Sequence, residues 1–326
     1  MTRERAEEIL DGFKGKRVLV IGDVMLDEYI WGSVNRISPE APVMVVDADR
    51  YSHVPGGAAN VVNNICALDG ASAVAGVIGD DEGGRALKGA LDNEGADTSG
   101  LLAVADRPTT RKTRVIAHSQ QVVRIDHERR NRLQPETAQR LHSLIAEIAG
   151  TADAILLSDY QKGVLGTELI ADCVRLAGKA KPLTGNLKPA ALGPHASLTC
   201  LTLNLQEARM ATGMAALDSE EDILAAGQAL LDKTGSANVL VTRGADGLTL
   251  FSANAPGKPV HVPAHPVAVY DVAGAGDTVI SALTLALASG ASSIEAVTIA
   301  NYAAAEAVKK VGVATVTRAE ILASIP

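Results

Sequence analysis

The segment that most restricts the fold is Arg17-Val-Leu-Val-Ile-Gly-Asp23, a continuous apolar run closed by Gly-Asp. A strand without a polar face must be covered on both sides, as in parallel sheets flanked by helices. Similar runs recur at 73–78, 154–157, 198–203 and 239–242, most with helical segments between them. In one such segment Leu141, Leu144, Ile145 and Ile148 repeat at i, i+3, i+4 and i+7, the spacing of a helix with one buried face. The alternation predicts an α/β chain built on a doubly wound, mostly parallel sheet. The 326 residues suffice for one large α/β domain or two modest ones. No internal repeat, charge block or Pro-rich linker divides them, so a single folding unit over 1–326 is expected.

Two stretches, about 29–54 and 109–126, break the alternation with β-branched residues interleaved with polar ones. They read as half-exposed strands. Strands inserted in an α/β core can form a small separate sheet, a β-sheet lid over the carboxyl edge where such folds bind ligands.

Charge and composition narrow the partners. Thirty Lys plus Arg against 38 Asp plus Glu give a net charge of -8, the wrong sign for a surface that collects phosphodiester backbones, so no nucleic acid is expected. Aromatic residues make up only 2%, which leaves little material for base stacking and places recognition on polar and backbone groups. The longest apolar stretch, 279–289, falls short of the ~20 residues that span a bilayer. The opening Met-Thr-Arg-Glu-Arg-Ala-Glu-Glu lacks the apolar segment of a signal peptide, so a cytoplasmic chain with no membrane partner is expected. Cys66, Cys173 and Cys200 contain no Cys-x-x-Cys and read as buried thiols.

The most informative motif is Val269-Tyr-Asp-Val-Ala-Gly-Ala-Gly-Asp-Thr-Val-Ile280. A strand-like Val-Ala-Val-Tyr runs into Gly274-Ala275-Gly276, where an apolar helix through about Ala288 begins. Small residues there leave amide N–H groups free at a helix N-terminus, where the partial positive charge holds phosphate. Asp277 sits in the first turn. A carboxylate beside a phosphate site is costly unless it serves chemistry or a cation, although a helix-stabilising Asp after a Gly-rich turn has the same sequence. Val279 stands where a dinucleotide fingerprint needs its third Gly, and no P-loop motif occurs.

Val54-Pro-Gly-Gly-Ala-Ala-Asn60 leads into a helix carrying Val61, Val62 and Ile65. Gly56 and Gly57 allow close approach to the backbone, and Asn60 offers a donor and an acceptor to a sugar hydroxyl; a plain turn and helix start reads equally from these residues. Gly22-Asp-Val-Met-Leu-Asp27 puts two carboxylates at the end of the first strand. Either is a turn former, or Asp27 stands at the mouth of the sheet to accept bonds from vicinal hydroxyls.

In this order, these segments resemble the ribokinase-like, or PfkB, carbohydrate kinases, whose signatures are the Gly-Gly motif and Asp-x-x-Gly-Ala-Gly-Asp. The match narrows to the heptose 7-phosphate kinase domains of ADP-heptose synthesis through Gly22-Asp-Val-Met-Leu-Asp-Glu-Tyr29, Arg36-Ile-Ser-Pro-Glu-Ala-Pro-Val43, Gln120-Gln-Val-Val-Arg-Ile-Asp126, Ser158-Asp-Tyr-Gln-Lys-Gly-Val-Leu165 and Thr242-Arg-Gly244. The resemblance covers nearly the whole chain and implies a ribokinase-like fold with a β-sheet lid. It implies that Asp277 is the base on the acceptor hydroxyl, with the Gly274, Ala275 and Gly276 amides facing the transferred phosphate. Asp27, Gly56, Gly57 and Asn60 would hold the sugar. Asn204-Leu-Gln-Glu207 matches the element that organises magnesium and phosphates through water, although Asn is also a favoured helix cap. Thr242, Arg243, Gly244 and Asn301 fall where the family contacts nucleotide, and Asp271 is implied to position the loop or a monovalent cation.

A sugar that already bears a phosphate needs a cationic anchor, for which Lys112, Arg114 and Arg124 on the expected lid and Lys162 and Lys188 on core loops are candidates. The chain departs from the subfamily at Asn186-Leu187-Lys188, Gln161 and Thr202-Leu203-Asn204, where Asp-Pro-Lys, Gly and Thr-Pro-Asn are usual. It also lacks the His-x-Gly-His motif of the nucleotidyltransferase often fused to these kinases, so adenylylation is expected elsewhere. The implied reaction is ATP- and Mg²⁺-dependent phosphorylation of D-glycero-D-manno-heptose 7-phosphate at its anomeric hydroxyl, for nucleotide-activated heptose and lipopolysaccharide core. The implied assembly is a homodimer through the lid, since exposed strand edges are readily completed by a second copy. A related kinase for another sugar, and a non-catalytic sugar-phosphate sensor, are the alternatives; the cationic lid argues against nucleosides and an intact Asp277 against a sensor.

Overall fold

A computed structural model describes residues 1–118 and 120–326; residue 119 of the second expected lid stretch lies outside them. The chain opens on α1 (Arg3–Asp11), capped by Thr2, and enters β1 (Arg17–Gly22). Then follow β2 (Val24–Ile37), β3 (Met44–Gly57), α2 (Ala58–Ala67), β4 (Ala71–Gly79), α3 (Glu82–Asn93) and β5 (Asp97–Val104). Next come β6 (Arg111–Ala117), β7 (Gln120–His127), α4 (Pro135–Ala149), β8 (Ala154–Ser158), α5 (Thr167–Ala177), β9 (Leu183–Asn186) and β10 (Cys200–Asn204). The last third holds α6 (Leu205–Thr212), α7 (Glu220–Thr234), β11 (Asn238–Thr242), β12 (Leu248–Ser252), β13 (Val260–Val262), α8 (Ala275–Ala288), α9 (Ser293–Ala307) and α10 (Arg318–Ser324).

Nine strands form the main sheet in the order β13-β12-β11-β10-β9-β8-β1-β4-β5. From β11 to β5 the pairs are all parallel, while β12 and β13 add an antiparallel edge. The doubly wound, mostly parallel architecture read from the sequence is what forms. β1 shows why its sequence is apolar throughout: Val18 and Val20 enter the layer built on α1, α2, α8 and α9, whereas Leu19 and Ile21 enter the layer built on α4 to α7. In α4, Leu141, Ile145 and Ile148 are the buried stripe, as their spacing requires. Val267 to Tyr270, by contrast, joins no strand. Pro266 removes one ladder donor, and the Tyr270 amide instead donates to the Val308 carbonyl beyond α9 (2.8 Å).

The second sheet has the order β3-β2-β6-β7. β2 and β3 pair antiparallel from Val24 opposite Gly57 out to Ile37 opposite Met44, and β6 runs parallel to β2. Only Asp23 separates β1 from β2, so one continuous stretch of chain passes from the main sheet into the second. Asp27 therefore belongs to β2 and not to the end of the first strand, and Gly56 and Gly57 close β3 beside it. This geometry sets the second sheet against the carboxyl edge of the first.

Close approach at that junction demands Gly22: a Cβ there would lie 2.0 Å from the Ser158 carbonyl oxygen of the neighbouring β8. Gly22→Ala must push β1 from β8, and a loss of ~3 kcal/mol in unfolding free energy is expected by denaturant titration. An unchanged midpoint would show that the pair relaxes freely. Among the described residues no helix is long and apolar enough to cross a membrane.

Candidate active site

Two buried carboxylates shape the loop after β8. Asp23 Oδ2 accepts the amides of Tyr160 and Lys162 (both 2.9 Å) and its Oδ1 accepts that of Val164 (3.2 Å). Burial pushes the Asp23 pKa up against those three amides, which favour the ionised form. Asp159 accepts the Gln161 amide (2.8 Å) and the Lys188 amide (3.0 Å), tying the β8 loop to the β9 loop. Gln161, where the subfamily usually has Gly, is held at φ 56.

Those loops deliver side chains to Asp277, in the first turn of α8. Asn60 Nδ2 donates to Asp277 Oδ2, and the Tyr160 hydroxyl donates to Asp277 Oδ1, each at 2.7 Å. Asn60 is steadied by Asn64 Nδ2, which donates to its carbonyl (2.9 Å), and Asn64 Oδ1 accepts the Thr278 hydroxyl (2.8 Å). Gly274 caps α8 at φ 80, as a left-handed entry to a helix favours. The Ala275 amide reaches back to the Val272 carbonyl (3.3 Å), while the Gly276 and Asp277 amides have no acceptor among the described residues. Free amides at a helix start form an anion site.

Burial raises the Asp277 pKa to about 6, against the lowering effect of the Asn60 and Tyr160 donors and the Lys188 charge. A carboxyl raised in the folded state contributes stability at low pH that is lost as pH rises through that value. Ionised Asp277 thus costs stability near neutrality. We expect Asp277→Asn to stabilise the fold by up to about 3 kcal/mol at pH 8, with the gain fading below about pH 6. Thermal unfolding across that range checks this; a gain largest at acid pH would contradict it.

The expected sugar residues meet at the junction of the two sheets. Asp27 is buried and its Oδ1 receives Arg114 Nη1 at 2.6 Å. Its Oδ2 lies where a Cβ on Gly56 would come within 2.3 Å, which explains the small residue there. Asn60 is drawn to Asp277 rather than standing free for sugar. The five candidate cations separate. Arg114 holds Asp27 and lies 5.5 Å over the Tyr29 ring. Arg124 is bound to Asp126 by two contacts (2.8 and 3.0 Å), Lys162 is buried on Glu128 (2.6 Å), and Lys188 pairs with Glu207. Lys112 alone of the five has no ion-pair partner among the described residues. Burial and the nearby Lys162 lower its pKa, against the pull of Asp27.

A largely apolar cleft of about 530 Å³ runs to the α8 N-terminus. Thr242, Gly244 and Asn301 line it, as do Ala275 and Gly276 at the amide-rich end. Asn301 also donates to the Pro263 carbonyl (2.9 Å), shaping the opposite wall. Arg243 is not brought to the cleft: its guanidinium pairs with Glu220 and touches Thr249. Asn204 and Glu207 form a capping box on α6, with Glu207 also holding Lys188. The ordinary cap reading of Asn204 thus coexists with a position beside Thr242, its register partner in β11. Among the described residues no group of three or more His, Cys, Asp or Glu could hold a metal. Magnesium is commonly held by one or two carboxylates together with substrate phosphates. Glu207 already accepts the Lys188 ammonium and the Asn204 amide, and Asn204 Oδ1 accepts the Glu207 amide, so these residues would meet an ion through water and not by direct ligation. Asp271 accepts the Ala273 and Gly312 amides (both 2.9 Å) and so fastens the loop before α8.

Tyr160, Asp159, Asn64 and Thr278 were not singled out in the sequence, and Asp23 was read there only as a turn-forming carboxylate at the end of the first strand. Tyr160 lies in Ser158-Asp-Tyr-Gln-Lys-Gly, which supplied the resemblance, but nothing local to it points 117 residues ahead to Asp277.

Residues 16–320 match the model of the pfkB family carbohydrate kinases. The chain is 43% identical over 291 residues to the bifunctional protein HldE of Pelobacter propionicus and 41% identical over 291 residues to that of Geobacter sulfurreducens. Each alignment covers 89% of this chain and 59% of the relative, so the chain spans about three-fifths of the length of the curated relatives it matches. Among solved structures, Arabidopsis thaliana ribokinase complexed with ribose and ATP superposes with a TM-score of 0.75 at 21% identity, covering 96% of this chain and 99% of that one. Escherichia coli phosphofructokinase-2 in complex with potassium gives 0.78 at 20% identity, covering 96% and 98%. With the family model matching nearly end to end and the fold shared with those kinases, the chain belongs to the pfkB family of carbohydrate kinases.

Proposed function

We propose that this kinase transfers the γ-phosphoryl group of ATP to the anomeric hydroxyl of D-glycero-D-manno-heptose 7-phosphate, giving the 1,7-bisphosphate. The observation that carries the reading is the Asp277 carboxylate, buried beside the free Gly276 and Asp277 amides where the apolar cleft ends. The cleft would take the nucleotide, with its phosphates on those amides. Asp277 orients the acceptor oxygen and takes its proton late, when the hydroxyl has become acidic. In-line transfer needs alignment, charge neutralisation and exclusion of water, and the second sheet over Asp27 supports the last of these. A magnesium ion associated through water with Glu207 and Asn204 would neutralise polyphosphate charge. Both Asp271 oxygens already hold backbone amides, which favours loop positioning for that residue over direct contact with a monovalent cation.

The sugar is the finer part of the reading. Its support is the subfamily segments, the HldE relatives, and Lys112, which stands unpaired near Asp27 where a distal phosphate would need a cation. The second sheet also exposes Ile37, Met44, Tyr51, Val123 and Ile125, which supports a homodimer through that sheet. ATP as donor agrees with a cytoplasmic setting. The test is a substrate panel with ATP and Mg²⁺ that contains heptose 7-phosphate, free heptose, ribose and fructose 6-phosphate. Preference for heptose 7-phosphate by kcat/KM supports the reading; preference for another sugar replaces the substrate but keeps the transfer. ATP use independent of any sugar would overturn both.

A further inference from the structure

Tyr160 is held from three directions. Its amide donates to buried Asp23 (2.9 Å), its ring lies under the Lys188 ammonium (5.5 Å), and its hydroxyl donates to Asp277 Oδ1 (2.7 Å). A phenol placed this way has little freedom to leave the carboxylate. Each carboxylate oxygen accepts two hydrogen bonds in its plane. Asn60 and Tyr160 take one site on Oδ2 and Oδ1, fix the plane of the group, and leave one lone pair on each oxygen for an acceptor hydroxyl.

We propose that Tyr160 is a positioning residue for Asp277, fixing the orientation of the carboxylate and keeping it ionised at neutral pH. This rests on the reading of Asp277 as the base of a sugar kinase. A carboxyl buried in this way is pushed toward the neutral acid, which cannot accept the substrate proton. Donors on the ionised form counter that push. The other groups bearing on Asp277 are Asn60 from α2, Lys188 from the loop after β9, which favours ionisation, and Asp27 from β2, which opposes it. Burial, then the charge of Asp277 that its hydroxyl bonds, and more weakly Asp27 and Glu207, make the Tyr160 phenol harder to ionise, so Tyr160 acts as a donor and not as a second base.

Tyr160→Phe removes only the hydroxyl and keeps the ring on Lys188. The acid limb of kcat/KM should then move up by about one pH unit, so that the variant loses about fivefold at pH 6 and almost nothing at about pH 8.5. A merely structural role would lower the rate by one factor at every pH and leave the limb in place, overturning the proposal. A variant faster than wild type would also overturn it, because Tyr160 would then be competing with the acceptor hydroxyl.

A second measurement needs no substrate. Carboxyl ¹³C NMR on the ligand-free protein, with Asp277→Asn to assign the resonance, follows the Asp277 titration directly. An upward move of its midpoint in Tyr160→Phe supports the coupling, and an unmoved midpoint overturns it. If the wild-type chain shows no sugar-dependent ATP use, the kinase reading fails while the NMR titration still decides whether Tyr160 controls Asp277.

Discussion

Asp277→Asn should lower kcat by about 10²- to 10⁴-fold while nucleotide affinity changes by no more than about threefold. The substitution is nearly isosteric. Its carbonyl can still accept from Asn60, and its amide can donate to the Tyr160 hydroxyl, so both 2.7 Å contacts have a counterpart. What disappears is the ability to receive the proton of the attacking hydroxyl. On the proposed mechanism that requirement belongs to the transition state, so the loss should fall on kcat rather than on nucleotide affinity, because the cleft lined by Thr242, Gly244 and Asn301 that is proposed to take the nucleotide is left unchanged. Steady-state kinetics with heptose 7-phosphate, together with calorimetry of a non-hydrolysable ATP analogue, separate the two. Because the same variant should be more stable than wild type at pH 8, misfolding is excluded by the unfolding curve. Turnover near the wild-type rate would remove Asp277 from the chemistry.

Lys112→Gln should cut kcat/KM for the 7-phosphorylated sugar by about 10- to 100-fold and leave the unphosphorylated sugar within about threefold. The choice of Lys112 follows from what its neighbours already hold. Arg114, Arg124, Lys162 and Lys188 each face a carboxylate, and recruiting one of them to a phosphate would leave Asp27, Asp126 or Glu207 without its cation, or buried Glu128 with Arg130 alone. Lys112 is half-buried and its positive charge is disfavoured in the free protein by desolvation and by Lys162. An incoming phosphate dianion would relieve that penalty. The reading is checked by the ratio of the two substrates and not by either rate alone. An equal loss on both sugars would move the anchor elsewhere and make Lys112 a general support of the sheet.

Much of the fold was legible because it is written in short windows. Arg17 to Asp23 announces a strand covered on both faces, and the stripe through Leu141, Ile145 and Ile148 announces a one-sided helix. The reading failed at Val267 to Tyr270, whose β-branched residues look like a strand but whose amide at Tyr270 is taken by Val308. Residues β5, β9, β12 and β13 contribute to the sheet were not marked in advance. β9 is a four-residue Leu-Thr-Gly-Asn, and a window that short has no period of its own.

The amino-acid order by itself determined the strand and helix alternation, the turn at Gly274 to Gly276, and the placing of Asp277 in the first turn of a buried helix, since each depends on residues a few positions apart. Tertiary structure alone decided which groups meet that carboxylate and which cation stays unpaired. Asn60 reaches Asp277 across 217 residues and Tyr160 across 117. Hydrogen bonds and ion pairs depend on distances in space that no local spacing specifies, and several equally basic side chains in sequence become unequal only when folding gives some of them carboxylates to hold.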